Sequence, residues 1–229
     1  MVEVNKELAV KLALSCNILA HEGHSDITLG HVSARFPGQE YLHMKPRGLG
    51  LEEVQAEDII VIDLEGNQLA GERNRHSEYP IHTEICKARP EINCVIHTHP
   101  PYATALGAAD GELHSIGHEG ILFINIPLFT EITALIHTHD QGKAVASCLG
   151  GERAALLQNH GVVVVGQSIE EATVYAILLE KGAIMEYLAR QFGSPVWSSE
   201  EESRFKVEQI YHPKNIMDFW EYYARRVKR

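Results

Sequence analysis

The chain has 229 residues, 45% of them hydrophobic and 22% charged, a composition that folds as a globular body rather than a disordered or fibrous one. No apolar run reaches the length that spans a bilayer, and Glu3 and Glu7 interrupt a start that lacks the basic region and unbroken apolar stretch of a secretion signal, so a cytoplasmic protein without a membrane partner is expected. The formal net charge is −11 and basic residues cluster only at Arg225, Arg226, Lys228 and Arg229, which argues against a nucleic-acid partner and leaves open a small anionic substrate held by a few local cations.

This length suits one domain over residues 1–229, with a helical tail from about residue 199. Asn5 is placed to cap an amphipathic helix running to about His21, with Leu8, Leu12, Ile18 and Leu19 among its apolar residues and Gly23 at its end. Residues 26–36, 40–44 and 58–63, the last followed by the turn LEGN, read as short strands divided by Gly and Pro. Pro80 opens a helix through Ala88; Pro90 stops it before the apolar strand INCVIHTH, which Pro100 and Pro101 end. Thr138 or Asp140 can cap a helix over AVASCLG. AALLQ is a further strand, interrupted by Asn159, His160 and Gly161 before VVVV continues to Gly166. Ser168 and Glu171 form a capping box for a helix reaching Gly193, and SSEEESRFKVEQ and NIMDFWEYYARR predict two more helices. Several connections are too short for parallel crossovers, so the predicted class is α/β, with helices on both faces of a largely antiparallel or mixed sheet. Cys16, Cys86, Cys94 and Cys148 have no repeated spacing and read as small buried hydrophobes.

Fourteen histidines are the unusual count, and histidine is the commonest metal ligand. His97 and His99 in VIHTHPP stand at i and i+2 of a buried strand, so both imidazoles are expected on one face with Thr98 on the other. An isolated H-x-H is a weak signal. LIHTHDQG repeats the spacing at His137 and His139, but it leads into a helix, so this pair is expected in a loop or first turn. HEGH at His21 and His24 is one residue short of H-E-x-x-H and reads as a frayed helix end. A metal needs a third ligand. His160 is the candidate, because it interrupts two apolar runs and Gly161 lets the backbone pass close; a core histidine satisfied by carbonyls is the other reading. Glu78 adds a carboxylate that is either a fourth ligand or an acid/base. Such a set suits one Zn²⁺ per chain and accommodates Mn²⁺, Fe²⁺ or Co²⁺.

GHVSARF, HSEYPIHTEI, VIHTHPPYATAL and LLQNHGVVVVG, taken in order, resemble the class II aldolase/adducin family over about residues 8–188. The resemblance implies a three-layer α/β/α fold with a mostly antiparallel, mixed central sheet, and a homotetramer with active sites at subunit interfaces. It also implies a divalent ion held by His97, His99 and His160, with Glu78 as an acid/base that can touch the metal. The implied activity is that of a lyase cleaving a hydroxy-carbonyl, sugar-phosphate-like substrate through an enediolate.

Three departures from that pattern bear on the substrate. The aldolases of the family hold phosphate with small residues, where this chain has Gly30 with His31 and His76 with Ser77, and imidazoles crowd a nest of backbone N–H groups. HMKPRGLG adds Lys45 and Arg47, which suit a planar carboxylate or else sit in a solvated loop. A tyrosine that assists protonation in those aldolases is missing, and SIGHEGILFINIP offers His114, His118 and Glu119 as acids or bases in its place. These features resemble the family's decarboxylase branch, which acts on hydroxylated aromatic or pyridine acids. A non-catalytic, adducin-like interaction protein is the reading of another class; the retained Glu78, His97, His99 and His160 argue against it.

Overall fold

A computed structural model of the chain describes residues 2–109 and 112–227; Lys228 and Arg229 of the basic cluster lie outside them. Helix α1 (Lys6–Leu19) starts where Asn5 accepts the Leu8 N–H at 3.0 Å. It ends two residues before His21, because Ala20–His24 form a π turn in which Gly23 takes φ +94°. Eight strands follow within one sheet: β1 (His31–Ala34), β2 (Tyr41–Met44), β3 (Ile60–Asp63), β4 (Gln68–Ala70), β5 (Cys94–Thr98), β6 (Leu128–Phe129), β7 (Ala154–Leu157) and β8 (Gly161–Gly166). Their spatial order is β4-β3-β2-β1-β5-β8-β7-β6, antiparallel throughout except for the β6–β7 pair. The α/β class with a mixed sheet is therefore as the sequence predicted.

Alternation along the strands builds the two interfaces. Val32, Ala34, Cys94, Ile96, Val162 and Val164 face α1 and the long helix α5 (Ile169–Phe192), joined there by α3 (Pro101–Ala108) and α7 (Pro213–Val227). Leu42, Met44, Val95, Val163 and Val165 face α2 (Tyr79–Ala88) and α4 (His139–Leu149). Ser168 caps α5 as read, accepting the Glu171 N–H at 3.1 Å. Helix α6 (Glu200–Ile210) lies before α7 in the tail. No described helix is long and apolar enough to cross a membrane. Cys16, Cys86 and Cys94 are free and buried, and Cys148 is free and half-buried.

The same alternation positions polar residues. His31 and Ser33 alternate with Val32 and Ala34, and His97 shares a face with Val95, so all three polar residues point to the α2 side of the sheet. Helix α2 presents His82 to that side, and Glu78 stands at its N-cap.

Candidate metal centre

β5 and the β7–β8 turn bring three imidazoles together. His97 lies on β5 and His99 one residue past its end, and their Nε2 atoms are 3.2 Å apart with the rings nearly perpendicular. The H-x-H pair thus shares one side, as strand geometry requires. His160 reaches them from a turn in which Asn159 takes φ +55°, a left-handed conformation that asparagine tolerates. Its ring centroid lies 4.8 Å from that of His97 and 5.6 Å from that of His99. One nitrogen from each of the three lies within 4.8 Å of the others.

The outer nitrogens explain which atoms are free. His97 Nδ1 lies 3.0 Å from the Val162 carbonyl and donates to it, which leaves the Nε2 lone pair facing inward. His99 Nδ1 lies 3.1 Å from Asp26 Oδ2. Both nitrogens of His160 are buried without a hydrogen bond, a costly state for a polar group unless something else takes them. Burial holds His97 well below the ordinary imidazole range, reinforced by His99, His160 and His82. His160 is pushed down to about 4 by burial and then by His99, while burial lowers His99 against the opposing pull of Asp26. Burial thus favours the neutral form of all three, the form that ligation requires. The donor set fits a divalent cation.

Glu78 sits at the entry to α2, buried, between this cluster and a second one. Its Oε1 accepts the Ile136 N–H at 2.8 Å and lies 3.6 Å from His160 Nε2. Its Oε2 lies 3.9 Å from His97 Nε2 and 3.7 Å from His31 Nε2. Burial raises its pKa above the usual carboxylate value, opposed by the Ile136 N–H and by the charge of His137. Ligand atoms of His31, His76 and Glu78 lie within 4.8 Å of one another, and the His31 and His76 rings are 4.0 Å apart. Behind them runs a buried hydrogen-bonded chain: His31 Nδ1 to His82 Nε2 at 2.6 Å, and His82 Nδ1 to Ser33 Oγ at 2.7 Å. His31 Nε2 and His76 Nδ1 have no hydrogen-bond partner.

The remaining sequence candidates fall in different places. Gly30 takes φ +69° beside His31, where a Cβ would stand 3.4 Å from Thr98 Cγ2. Ser77 is half-buried next to Glu78. Lys45 is fully buried, and its ammonium is hydrogen-bonded to the Thr28 and Pro46 carbonyls at 3.3 Å each. Burial lowers its pKa, against the opposing charges of Cys16, Glu52 and Glu53, and it is not a free carboxylate grip. Arg47 is exposed, and its guanidinium makes no hydrogen bond or ion pair among the described residues. His76 is held at about 4 by burial and then by the Lys45 and Arg47 charges. His118 and Glu119 are not brought to Glu78 within the chain: the His118 carbonyl accepts the Tyr211 hydroxyl at 2.8 Å, and Glu119 packs against Gly182 of α5. His114 pairs with Glu186 at 3.0 Å, and its ring lies against that of Trp197, 3.9 Å between centroids and tilted by 38°.

The second IHTH lies at a helix start, as expected. Thr138 caps α4, and His139, its first residue, places Nδ1 2.6 Å from Glu84 Oε1. The frayed-end reading of HEGH needs correction at His24, which is buried with Nδ1 2.9 Å from Thr98 Oγ1, because the π turn folds it back under the sheet. Sequence reasoning passed over Asp26, His82 and the Ile136 N–H; each acts through a contact between distant parts of the chain.

Known proteins are similar to this chain in sequence and in shape. The profile of the Class II Aldolase and Adducin N-terminal domain matches residues 10–187. The 3,4-dihydroxyphthalate decarboxylase of Arthrobacter keyseri is 32% identical over 185 residues, covering 74% of this chain and 73% of that protein. The L-fuculose phosphate aldolase of Methanococcus maripaludis is 30% identical over 178 residues, covering 78% of this chain and 94% of that protein. The L-fuculose 1-phosphate aldolase from Glaciozyma antarctica PI12 has the same fold, with a TM-score of 0.86 over 97% of this chain and 89% of that one at 24% identity.

Proposed function

Because the chain belongs to the class II aldolase and adducin family, we propose that it is a divalent-metal carbon–carbon lyase that removes carboxylate from a small hydroxylated aromatic or pyridine acid. The observation that carries this choice is the buried His31–His76 pair beside Glu78. Two imidazoles fill the positions where the family's sugar-phosphate enzymes keep small residues. Arg47 stands free near His76, and the field of Lys45 reaches the same pocket. A flat carboxylate, bound by planar donors, suits this wall better than a tetrahedral phosphate. The 32% identity to a decarboxylase supports the same choice.

His97, His99 and His160 would hold the metal, and Zn²⁺ suits three imidazoles. A divalent ion bound there supplies Lewis acidity to a substrate oxygen next to the reacting carbon. Glu78 would handle the proton. Its Oε1 is engaged by the Ile136 N–H, so the transferable proton belongs on Oε2, the oxygen facing His31 and His97. Burial favours the protonated form of Glu78, which is the form a donor needs. When the bond to the carboxylate carbon breaks, CO₂ leaves, the electron pair stays on the substrate carbon, and that carbon takes the Oε2 proton. His82 and Ser33 hold His31 from behind, fixing one wall of the pocket. His118 and Glu119, whose backbone contacts lie with Tyr211 and with Gly182 of α5, would enter such a site only from a neighbouring copy in a homotetramer.

Aldol cleavage is the second reading. It is favoured by the 30% identity to an aldolase of which this chain covers 94%, and it would use the same ligands and the same Glu78 proton. The deciding experiment combines elemental analysis with turnover of 3,4-dihydroxyphthalate and L-fuculose 1-phosphate. About one zinc per chain, CO₂ release from the aromatic acid and loss of that release on chelation are expected. Cleavage of the sugar phosphate alone would replace decarboxylation with aldol chemistry. Stoichiometric metal in both His97→Ala and His160→Ala would remove the ligand assignment, and a protein free of metal and activity would favour the interaction-protein reading.

A further inference from the structure

The second IHTH adjoins the site without belonging to the ligand set. Ile136 buries its side chain in the core between the sheet, α2 and α4, while its N–H holds Glu78 Oε1 at 2.8 Å. The chain then enters α4 through a firm cap. Gln141 Oε1 accepts the N–H groups of His137 at 2.8 Å and Thr138 at 3.0 Å, and Thr138 Oγ1 accepts the Gln141 N–H at 3.3 Å. The backbone of His137 is therefore fixed on both sides. Its side chain is exposed, in contrast to the buried Ile136, and makes no hydrogen bond or ion pair among the described residues. Its backbone follows directly on the Ile136 N–H that holds Glu78, and its charge acts on both Glu78 and His76, so the ring lies on the solvent side of that pair. By contrast, His139 is occupied by Glu84 and lies 3.4 Å from the Tyr79 hydroxyl.

An exposed imidazole on a fixed backbone, free of partners and one residue from the N–H that holds a buried acid, is arranged to meet something that enters from solvent. We infer that His137 is a substrate-facing, specificity-determining residue at the rim of the Glu78 pocket, where its ring N–H binds the carboxylate of a hydroxylated aromatic acid. The inference rests on the carboxylate reading of the site. It gives the two IHTH copies complementary parts: the first supplies metal ligands, and the second clamps Glu78 through Ile136 and contacts the substrate through His137.

Binding of 2-hydroxybenzoate to the zinc-loaded full chain, measured by calorimetry, tests this without turnover. His137→Ala should weaken binding about tenfold, the worth of one hydrogen bond to a charged group. His137→Arg, which restores a donor to the carboxylate, should return the Kd to within about threefold of the parent. His139→Ala should leave the Kd unchanged, and zinc stoichiometry should be the same in all variants. Unaltered binding by His137→Ala would overturn the inference while leaving the carboxylate reading intact. Loss of zinc together with 2-hydroxybenzoate would also overturn it, making His137 part of the metal's support. Failure of the zinc-loaded parent chain to bind 2-hydroxybenzoate would overturn the carboxylate reading and the inference with it.

Discussion

At Gly161 a Cβ would stand 2.5 Å from His99 Cδ2 and 2.6 Å from the Thr98 carbonyl oxygen. Both neighbours are fixed: the carbonyl belongs to β5, and the His99 ring is held between His97 and Asp26. Gly161→Ala is therefore expected to cost about 1–3 kcal/mol through overpacking and to turn the His99 ring away from the other ligands. Zinc affinity, read by chelator competition, should fall by about tenfold or more, as when groups that orient a metal ligand are disturbed; an unchanged affinity would show that the ring yields without consequence. Asn-His-Gly was legible in the sequence as an interruption of two apolar runs, and His97 with His99 was legible from the two-residue period of a strand. Asp26 and His82 were not. Asp26 matters through His99, 73 positions on, and His82 through His31, 51 positions back, and no local pattern records such pairings.

Among elements, the link between α3 and α5 carries the most for the site. Helix α3 begins at Pro101, two residues after His99 and directly behind Pro100, and its first N–H groups have no partner within the helix. Glu180, buried on α5, fills that role: Oε1 accepts the Tyr102 N–H at 3.0 Å and Oε2 the Ala103 N–H at 2.8 Å. Glu180→Ala leaves the buried Ala103 N–H unpaired and frees the more exposed Tyr102 N–H to water, and a loss of about 1–3 kcal/mol is expected. Denaturant titration checks the loss, and zinc affinity should fall with it, because the segment carrying His99 is no longer anchored. Stability and affinity both unchanged would mean that water or relaxation replaces Glu180. Helix α3 was itself hard to read from sequence: eight residues, the first of them a proline, give too little periodicity, whereas α5, with 24 residues and a capping serine, was plain. Strands β4 and β6, of three and two residues, escaped for the same reason, since pairing along a sheet edge rather than local preference creates them.

Across the whole molecule, buried histidines make folding sensitive to acid. Away from the metal ligands, His24 and His43 are each held at about 4 and His82 at about 3, in every case chiefly by burial. An unfolded histidine titrates near pH 6.5. Each folded-state pKa is therefore depressed, so the fold keeps these rings neutral while the unfolded chain takes up protons. Their full contribution is present above about pH 6.5 and is lost as the pH falls, down to about 4 for His24 and His43 and about 3 for His82. Inside that window each ring lowers stability by up to about 1.4 kcal/mol per pH unit. The metal-site imidazoles of chelator-treated protein push in the same direction, because burial depresses them as well. Guanidinium titrations of that protein between pH 7 and pH 4.5 should show stability falling steadily below about pH 6.5. His24→Gln removes one titrating ring from the balance, so its profile should be shallower by about one proton. A parent profile that stays flat through this range would mean that the buried histidines are reached by water and protonated in place.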